Sequence, residues 1–447
     1  MIEFVNTYIF GPGLCVSVFV FGIFLVFYLN GFFILKPGRM LSALNSGGGD
    51  GMSPLKAMIV ALAGTLGVGN IVGVASAVSV GGAGAVFWML VSVIAALPLK
   101  YAEILLAVRH RRRCGDGKYR GGAYFYISDR GGKTASFAAG LFAVLCVAAS
   151  FTMGSAVQVN AAAVSMEECF GVPRLLVGLL FALATLAVAS GGLDRIAFMT
   201  GRLVPLMSAV YIAMSAFIIV TNLDAAWAAV VSIVTNAFSK EAFAGGVIGF
   251  ITSRAVRLGV TRGIVSNEAG CGTAPIAHAG ADVRLPAVQG VWGIAEVVID
   301  TAVICTLTAF SVLIAESHGV KLTSDGMLTA ALSYSRFIPF ASPILAVSVP
   351  VFAFCTVICW FYYGSESLSY LVKGRGGRIL CSAYLCVYSI SAAAGAVFDG
   401  EWLWSLADLV ISAMTALNIC FLMLSLKEIK EETDNYFFVK TKEKKNK

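Results

Sequence analysis

The segment Ala63-Gly-Thr-Leu-Gly-Val-Gly-Asn-Ile-Val-Gly73 places four glycines inside an apolar run that is long enough to cross a membrane. A hydrocarbon core about 30 Å thick requires roughly 20 apolar residues in a helical span. Glycine weakens a helix, and a break inside a membrane leaves backbone groups that protein or ligand atoms must satisfy. The segment therefore predicts a membrane helix that is interrupted at a binding site.

A second interrupted span is Phe243-Ala-Gly-Gly-Val-Ile-Gly-Phe-Ile-Thr252, whose apolar arm is only about half as long as a full span. If the 54–80 run is the first helix of a ten-helix core, this one is the sixth. Broken helices at matching positions of two inverted halves are typical of secondary transporters that bind their substrate near the bilayer midplane. The glycines could instead permit close helix packing. Two such runs, five helices apart, favour a binding site over simple close packing of helices.

Composition supports a membrane protein, since 58% of the 447 residues are hydrophobic and 13% are charged. The first apolar stretch has no basic segment before it and no cleavage site after it, so we interpret it as a span and not as a signal peptide. Eleven stretches meet or approach the length of a span: about 13–35, 54–80, 84–107, 136–166, 174–191, 203–221, 243–266, 288–315, 341–364, 379–397 and 402–426.

Basic residues lie mainly in alternate loops. If the N-terminus is outside, 27 of the 32 Lys and Arg fall on one side. This asymmetry predicts a bacterial-type inner-membrane protein with a cytoplasmic C-terminus. The charge of +7 therefore does not indicate nucleic-acid binding.

The chain is expected to divide into an extra N-terminal helix with its linker (1–52), a ten-helix core (53–426) and a basic cytoplasmic tail (427–447). The inverted repeats cover about 53–221 and 243–426.

Charged residues inside spans are candidates for function. Glu296 and Asp300 are four residues apart, which predicts one shared helix face. Together with Asp408, they are interpreted as groups of an ion path or as structural carboxylates. Lys100 and Glu103 lie near the predicted end of the third span, so we expect them to extend towards the interface as structural or inner-gate residues.

Further polar candidates are Gln158, an amide on an apolar helix, and Thr356 with Trp360, which are one helical turn apart. The buried amide requires a partner helix or a ligand. The eleven cysteines and three histidines form no metal or disulfide pattern. No catalytic constellation indicates an enzyme, and we expect no cofactor.

Long motifs resemble the alanine or glycine:cation symporter family, also called sodium:alanine symporters, over nearly the whole chain. The family signature GGxGAVFWMW resembles Gly81–Leu90, and GTIGTGN resembles Gly64–Asn70. SNEAGLGSAPIAHAAA is similar to Ser266–Ala281, TKYAEALLAV to Leu99–Val108, and FIDTxxVCT to Val298–Thr306.

This resemblance implies an all-α membrane protein of about eleven helices, with a leucine-transporter-like 5+5 repeat and one extra N-terminal helix. It implies symport of alanine or glycine with sodium, or in some members with a proton. The substrate pocket that it implies is lined by Thr65, Gly67, Gly69, Asn70, Gln158, Gly246, Val247, Ile251, Thr356 and Trp360. Sodium is expected near Gly64, Thr65, Asn70 and Thr356, as suits a cation that prefers oxygen ligands.

Two departures concern the substrate. Val68 replaces a family threonine, and Val247 replaces the phenylalanine of a family Gly-Gly-Phe. We expect the substrate to be a small neutral amino acid, and the pocket to accept one somewhat bulkier than alanine. We expect the carrier to be a monomer. A proton-coupled carrier and a channel or sensor on the same fold stay open as alternatives.

Overall fold

The computed structural model describes residues 11–46, 49, 51–114, 117–238, 254–372, 374–398 and 400–438. The interruption predicted at 243–252 therefore lies outside the described residues. The first part of the chain contains α1 (Gly11–Tyr28), α2 (Phe32–Leu35), α3 (Pro37–Leu44), α4 (Pro54–Thr65), α5 (Gly69–Gly81), α6 (Ala83–Arg109), α7 (Ala123–Ser128), α8 (Gly132–Phe170), α9 (Arg174–Ala189), α10 (Gly192–Thr221) and α11 (Leu223–Ala237).

The second part contains α12 (Arg254–Asn267), α13 (Ala274–His278), α14 (Pro286–Ser317), α15 (Gly326–Ser335), α16 (Ala341–Leu371), α17 (Gly374–Gly395), α18 (Gly400–Leu424) and α19 (Leu426–Phe437). The described residues contain two short antiparallel strands between α6 and α7, β1 (Arg112–Arg113) and β2 (Tyr119–Arg120).

Six described helices, α6, α8, α10, α14, α16 and most of α18, are long and apolar enough to cross a membrane. The count is seven if α4 and α5 form one bent span. Four shorter apolar helices lie in α1, α9, α11 and α17. The eleven predicted spans therefore stay a prediction.

Helix α6 is the central element of the bundle. It packs against α1, α11, α12 and α14, and 83% of its most apolar window is buried. The bent pair is built beside it: Ser53 caps α4 by accepting a hydrogen bond from the Lys56 N–H at 3.3 Å, and Pro54 occupies the first turn. Helices α10 and α16 pack against α4.

Three helices contain π-helical turns, in which the usual i→i+4 pattern widens by one residue. They are Gly69–Gly73 at the start of α5, Thr152–Ala156 in α8 and Val298–Cys305 in α14. Such turns free backbone groups and are frequent at functional sites. Residues from all three turns contribute contacts at the bend between α4 and α5, which identifies the region to examine for function.

The segment predicted as a basic tail begins as a helix. Helix α19 packs on the end of α6, where the Tyr101 and Thr433 hydroxyls lie 3.1 Å apart. Phe437 is 1% exposed, and its ring centroid lies 4.5 Å from that of Phe32. Burial of one face of α19 explains why this segment is helical, although its many charged residues favour a solvated tail.

Candidate functional site

The bend between α4 and α5 changes the helix direction by 57°. Gly67 lies at its centre and leaves no room for a side chain, since an added Cβ would lie 2.7 Å from Gln158 Oε1 and 3.0 Å from Thr356 Oγ1. The predicted interruption at this glycine-rich segment is therefore confirmed. Its close approach to two polar side chains requires glycine.

Gln158 bonds the backbone freed by the bend. Its Oε1 accepts a hydrogen bond from the Val68 N–H at 3.2 Å, and its Nε2 donates to the Met153 carbonyl at 3.2 Å. The Gly67 N–H donates to Asn70 Oδ1 at 3.3 Å. The buried amide thus links the bend to the π-helical turn of α8, so both irregular backbones have side-chain partners.

Thr356 and Trp360 contact the other side of the bend. The Thr356 hydroxyl donates to the Ala63 carbonyl at 3.0 Å, and the Trp360 indole N–H donates to the Gly64 carbonyl at 3.3 Å. Both side chains are buried, and neither lines the cavity described next. In this structure they hold the end of α4.

A cavity lies beside the bend and contains about 380 Å³ of space not filled by atoms, part of it open to solvent. Its wall includes five predicted site residues: Gly64, Thr65, Gly67, Gly69 and Gln158. The wall also contains six residues that were not predicted to line a pocket: Met153, Arg262, Val265, Ser266, Glu268 and Trp404. Gly246, Val247 and Ile251 lie outside the described residues.

Arg262 is a basic group in the cavity wall. Its guanidinium carbon lies 5.8 Å from the Trp404 ring centroid. Among the described residues it has no hydrogen bond, and no carboxylate oxygen lies within 4.0 Å. Asp408 acts on it only as a more distant opposite charge. The guanidinium is therefore available to an anionic group.

Asp300 and Asn70 form a second polar group next to the bend. Asp300 accepts hydrogen bonds from Asn70 Nδ2 at 2.8 Å, the Ser266 hydroxyl at 2.9 Å and the Thr301 hydroxyl at 2.7 Å. Asp300 is 0% exposed, and no Lys, Arg or His nitrogen of the described chain lies within 4.0 Å of it. A buried carboxylate without a cation is costly, which makes Asp300 a candidate ligand for a positive ion.

Glu296 lies in a different environment, here called the Lys100 cluster, which consists of Lys100, Glu103, Glu268, His278 and Glu296. Lys100 Nζ lies 3.2 Å from Glu296 Oε1 and 4.0 Å from Glu103 Oε1. His278 Nε2 lies 2.9 Å from Glu296 Oε2. The expectation that Lys100 and Glu103 extend to the interface is wrong, because both are 0% exposed and bond groups from α14 and the segment after α12.

Glu296 and Asp300 lie on either side of an irregularity in α14. Glu296 is in the regular helical part, which ends at Val297, and Asp300 lies in the π-helical turn that begins at Val298. Both side chains are buried, and among the described residues they share no hydrogen-bond partner. Their common helix face stays a prediction.

The segment Ser266–Glu268 joins the two polar groups to the cavity. Ser266 bonds Asp300, while the Asn267 carbonyl accepts from Lys100 Nζ at 2.7 Å and Asn267 Nδ2 donates to Thr301 Oγ1 at 3.1 Å. Glu268 lines the cavity and has φ of 52°, a left-handed conformation that is rare for this residue type.

A family model described as the sodium:alanine symporter family matches residues 1–447. The chain belongs to this family. Sodium/alanine symporter AgcS of Methanococcus maripaludis is 34% identical over 460 residues, which cover 100% of this chain and 99% of the relative. Probable sodium/glutamine symporter GlnT of Bacillus subtilis is 32% identical, with coverage of 95% and 87%.

The structure of MhsT in complex with L-phenylalanine superposes with a TM-score of 0.62 at 14% identity, covering 87% of this chain and 93% of MhsT. MhsT has the leucine-transporter fold, so the predicted fold class is confirmed. This member of the sodium:alanine symporter family is a multi-pass membrane transporter and not an enzyme.

Proposed function

We propose that this symporter-family chain imports a small neutral amino acid together with sodium by alternating access. The observation that carries the proposal is a cavity at a helix bend with opposite charges in its wall, Arg262 and Glu268. An amino-acid zwitterion presents a carboxylate and an ammonium group, and a site with both charges complements both ends.

The cavity is small in this structure. Only about 20 Å³ of it admits the centre of a water-sized sphere, which supports a small substrate, for which the wall must open least. Val68 is 1% exposed and is absent from the cavity wall, so its missing hydroxyl leaves the described wall unchanged. We therefore favour alanine or glycine, although the name of the GlnT relative justifies including glutamine among the competitors.

The Asp300 carboxylate supports a sodium site next to the bend. No Lys, Arg or His nitrogen of the described residues lies within 4.0 Å of it, and the amide nitrogen of Asn70 donates to it at 2.8 Å. The residues that the resemblance implies for the ion, Gly64, Thr65 and Thr356, would add the oxygen ligands that a hard monovalent cation prefers. We propose Asp300 as the charged ligand of this site, to which the sequence assigned only an ion-path or structural role.

The same proposal includes the membrane placement: a monomer in a bacterial inner membrane, with the N-terminus outside and α19 on the cytoplasmic side. The distribution of Lys and Arg supports this orientation.

Uptake by the full chain reconstituted in liposomes tests the proposal. We expect radiolabelled L-alanine to accumulate above its external concentration with an inward sodium gradient, and not when choline replaces sodium at fixed pH. Binding without accumulation would instead indicate a sensor, and passive equilibration would indicate a channel.

Arg262→Gln tests the zwitterion site directly, with Arg202→Gln as its matched control because Arg202 is exposed on α10. Loss of a charge-assisted hydrogen bond should weaken alanine binding by about 1.5–3 kcal/mol, or roughly 10- to 150-fold. Equal alanine affinity in both variants would remove Arg262 from the site.

A further inference from the structure

The Lys100 cluster contains more negative than positive charge. It brings one lysine together with Glu103, Glu268 and Glu296, each at most 3% exposed. With all three carboxyl groups ionised and His278 neutral, the cluster carries a net charge of two negative units. Burying uncompensated charge costs several kcal/mol per ion.

Hydrogen bonds hold His278 in the neutral form. Gln289 Nε2 lies 2.7 Å from His278 Nδ1 and 3.3 Å from the Pro54 carbonyl. The carbonyl accepts only, so the amide nitrogen must face it and must donate to Nδ1. The remaining ring proton is then on Nε2, which donates to Glu296. His278 therefore does not supply the missing positive charge.

A proton on one of the carboxyl groups would reduce this excess of negative charge. Glu296 is the poorest acceptor of a proton, because Lys100 and His278 already contact its two oxygens. Glu103 differs: its Oε2 accepts from the Gly272 N–H at 3.0 Å and from Asn418 Nδ2 at 3.2 Å, whereas its buried Oε1 has no hydrogen-bond partner. A hydroxyl at Oε1 leaves the bonds to Oε2 intact.

Glu268 connects this group to the cavity. Its Oε2 accepts from the Thr273 hydroxyl at 2.6 Å, and the residue also lines the cavity. Water in the cavity can therefore exchange a proton with Glu268. The other titratable groups near these two carboxyls, besides Arg262 in the shared cavity, are Asp300 and the neutral thiols and phenols of Tyr126, Cys146, Cys271, Cys359 and Tyr363.

We propose that Glu103 and Glu268, beside the Lys100–Glu296 ion pair, form a proton-binding site that controls transport and is separate from the cation site at Asp300. The proposal rests on the transport function proposed above. Ser266–Glu268 provides the physical link, because this segment bonds Asp300 at one end and belongs to the Lys100 cluster at the other.

The test measures sodium-driven alanine uptake in liposomes from about pH 5 to pH 8, with the sodium gradient held constant. The wild-type rate should depend on pH. Where the active protonation state is the minor one, the rate should change by up to about tenfold per pH unit. Glu103→Gln imitates the protonated carboxyl and should keep the low-pH behaviour of the wild type throughout. Glu431→Gln, an exposed change on α19, should retain the wild-type profile.

A pH-independent wild type would overturn the proposal, and so would a Glu103→Gln profile equal to that of the wild type. Absence of sodium-dependent uptake at every pH would instead contradict the transport function. If Glu103→Gln does not fold, infrared difference spectra of the wild type replace it. A protonated-carboxyl band that disappears as the pH rises supports the site, and its absence contradicts it.

Discussion

Glu296 and Asp300 lie on the same helix four residues apart, yet their charges are balanced in different ways. Glu296 has a lysine 3.2 Å away and a histidine 2.9 Å away. Among the described residues, the hydrogen bonds to Asp300 come from the neutral donors Asn70, Ser266 and Thr301. Glu296 therefore has a cation within the protein, whereas Asp300 has none in the described part of the chain. The difference separates a permanent ion pair from a candidate ion-binding site.

Removing the internal cation should have the largest effect. Lys100→Met leaves Glu296 and Glu103 without their positive partner, and breaking a buried ion pair from one side typically costs about 3–5 kcal/mol. We expect a large fall in the thermal unfolding temperature of the purified protein in detergent.

Two further variants sharpen this result. Lys100→Met combined with Glu296→Gln should recover part of the lost stability, since the uncompensated charge is then removed as well. Lys133→Met, at an exposed lysine of α8, should change stability by less than about 0.5 kcal/mol. A Lys100→Met protein as stable as this control would show that the ion pair contributes little.

Removing the charge of Asp300 should change the sodium dependence of uptake more than the stability of the protein. Asp300→Asn keeps the shape but removes the charge, so the sodium concentration for half-maximal uptake should rise by about 10- to 100-fold. Asp194→Asn, at an exposed position, is the matched control. An unchanged sodium dependence would place the ion elsewhere.

The glycine-rich bend could be predicted from the sequence because local composition determines it. Gln158 was also identified, since a lone amide on an apolar helix requires a partner. Arg262 and Glu268 were not predicted to line the pocket. From the sequence, Arg262 is assigned to the cytoplasmic end of a span and Glu268 to the loop that follows it. Their position beside the bend depends on tertiary packing. Arg262 lies inside the stretch 243–266 that was predicted as a span, and a charged residue inside a span was the available signal.

The Lys100 cluster could not be predicted for a similar reason. Lys100 and Glu296 are far apart in the chain, and a single sequence gives no pairing between them. A position near a predicted helix end therefore favoured the interface. The π-helical turn that begins at Val298 was likewise not predicted from the sequence.

A second His–Glu pair, near the surface, extends the comparison to groups that are only partly buried. His110 Nε2 lies 2.8 Å from Glu428 Oε1 of α19, and its Nδ1 lies 2.8 Å from Asp129 Oδ2. Burial lowers the pKa of His110, but the bonds to Glu428 and Asp129 outweigh it and raise this pKa above its ordinary value of 6.5. The bond from His110 lowers the pKa of Glu428 below 4.5.

These shifts define the pH range in which the pair holds α19 in place. The His110 contribution is complete below about pH 6.5 and disappears as the pH rises through the raised pKa. The Glu428 contribution is present above about pH 4.5 and disappears as the pH falls through the lowered pKa. Stability should therefore fall above neutral pH by under about 1 kcal/mol, because the groups are partly exposed. His110→Gln should remove this pH dependence of stability, measured by thermal unfolding at a series of pH values, while the more deeply buried His278 pair stays intact. If the pH dependence is unchanged in His110→Gln, another group is responsible for it.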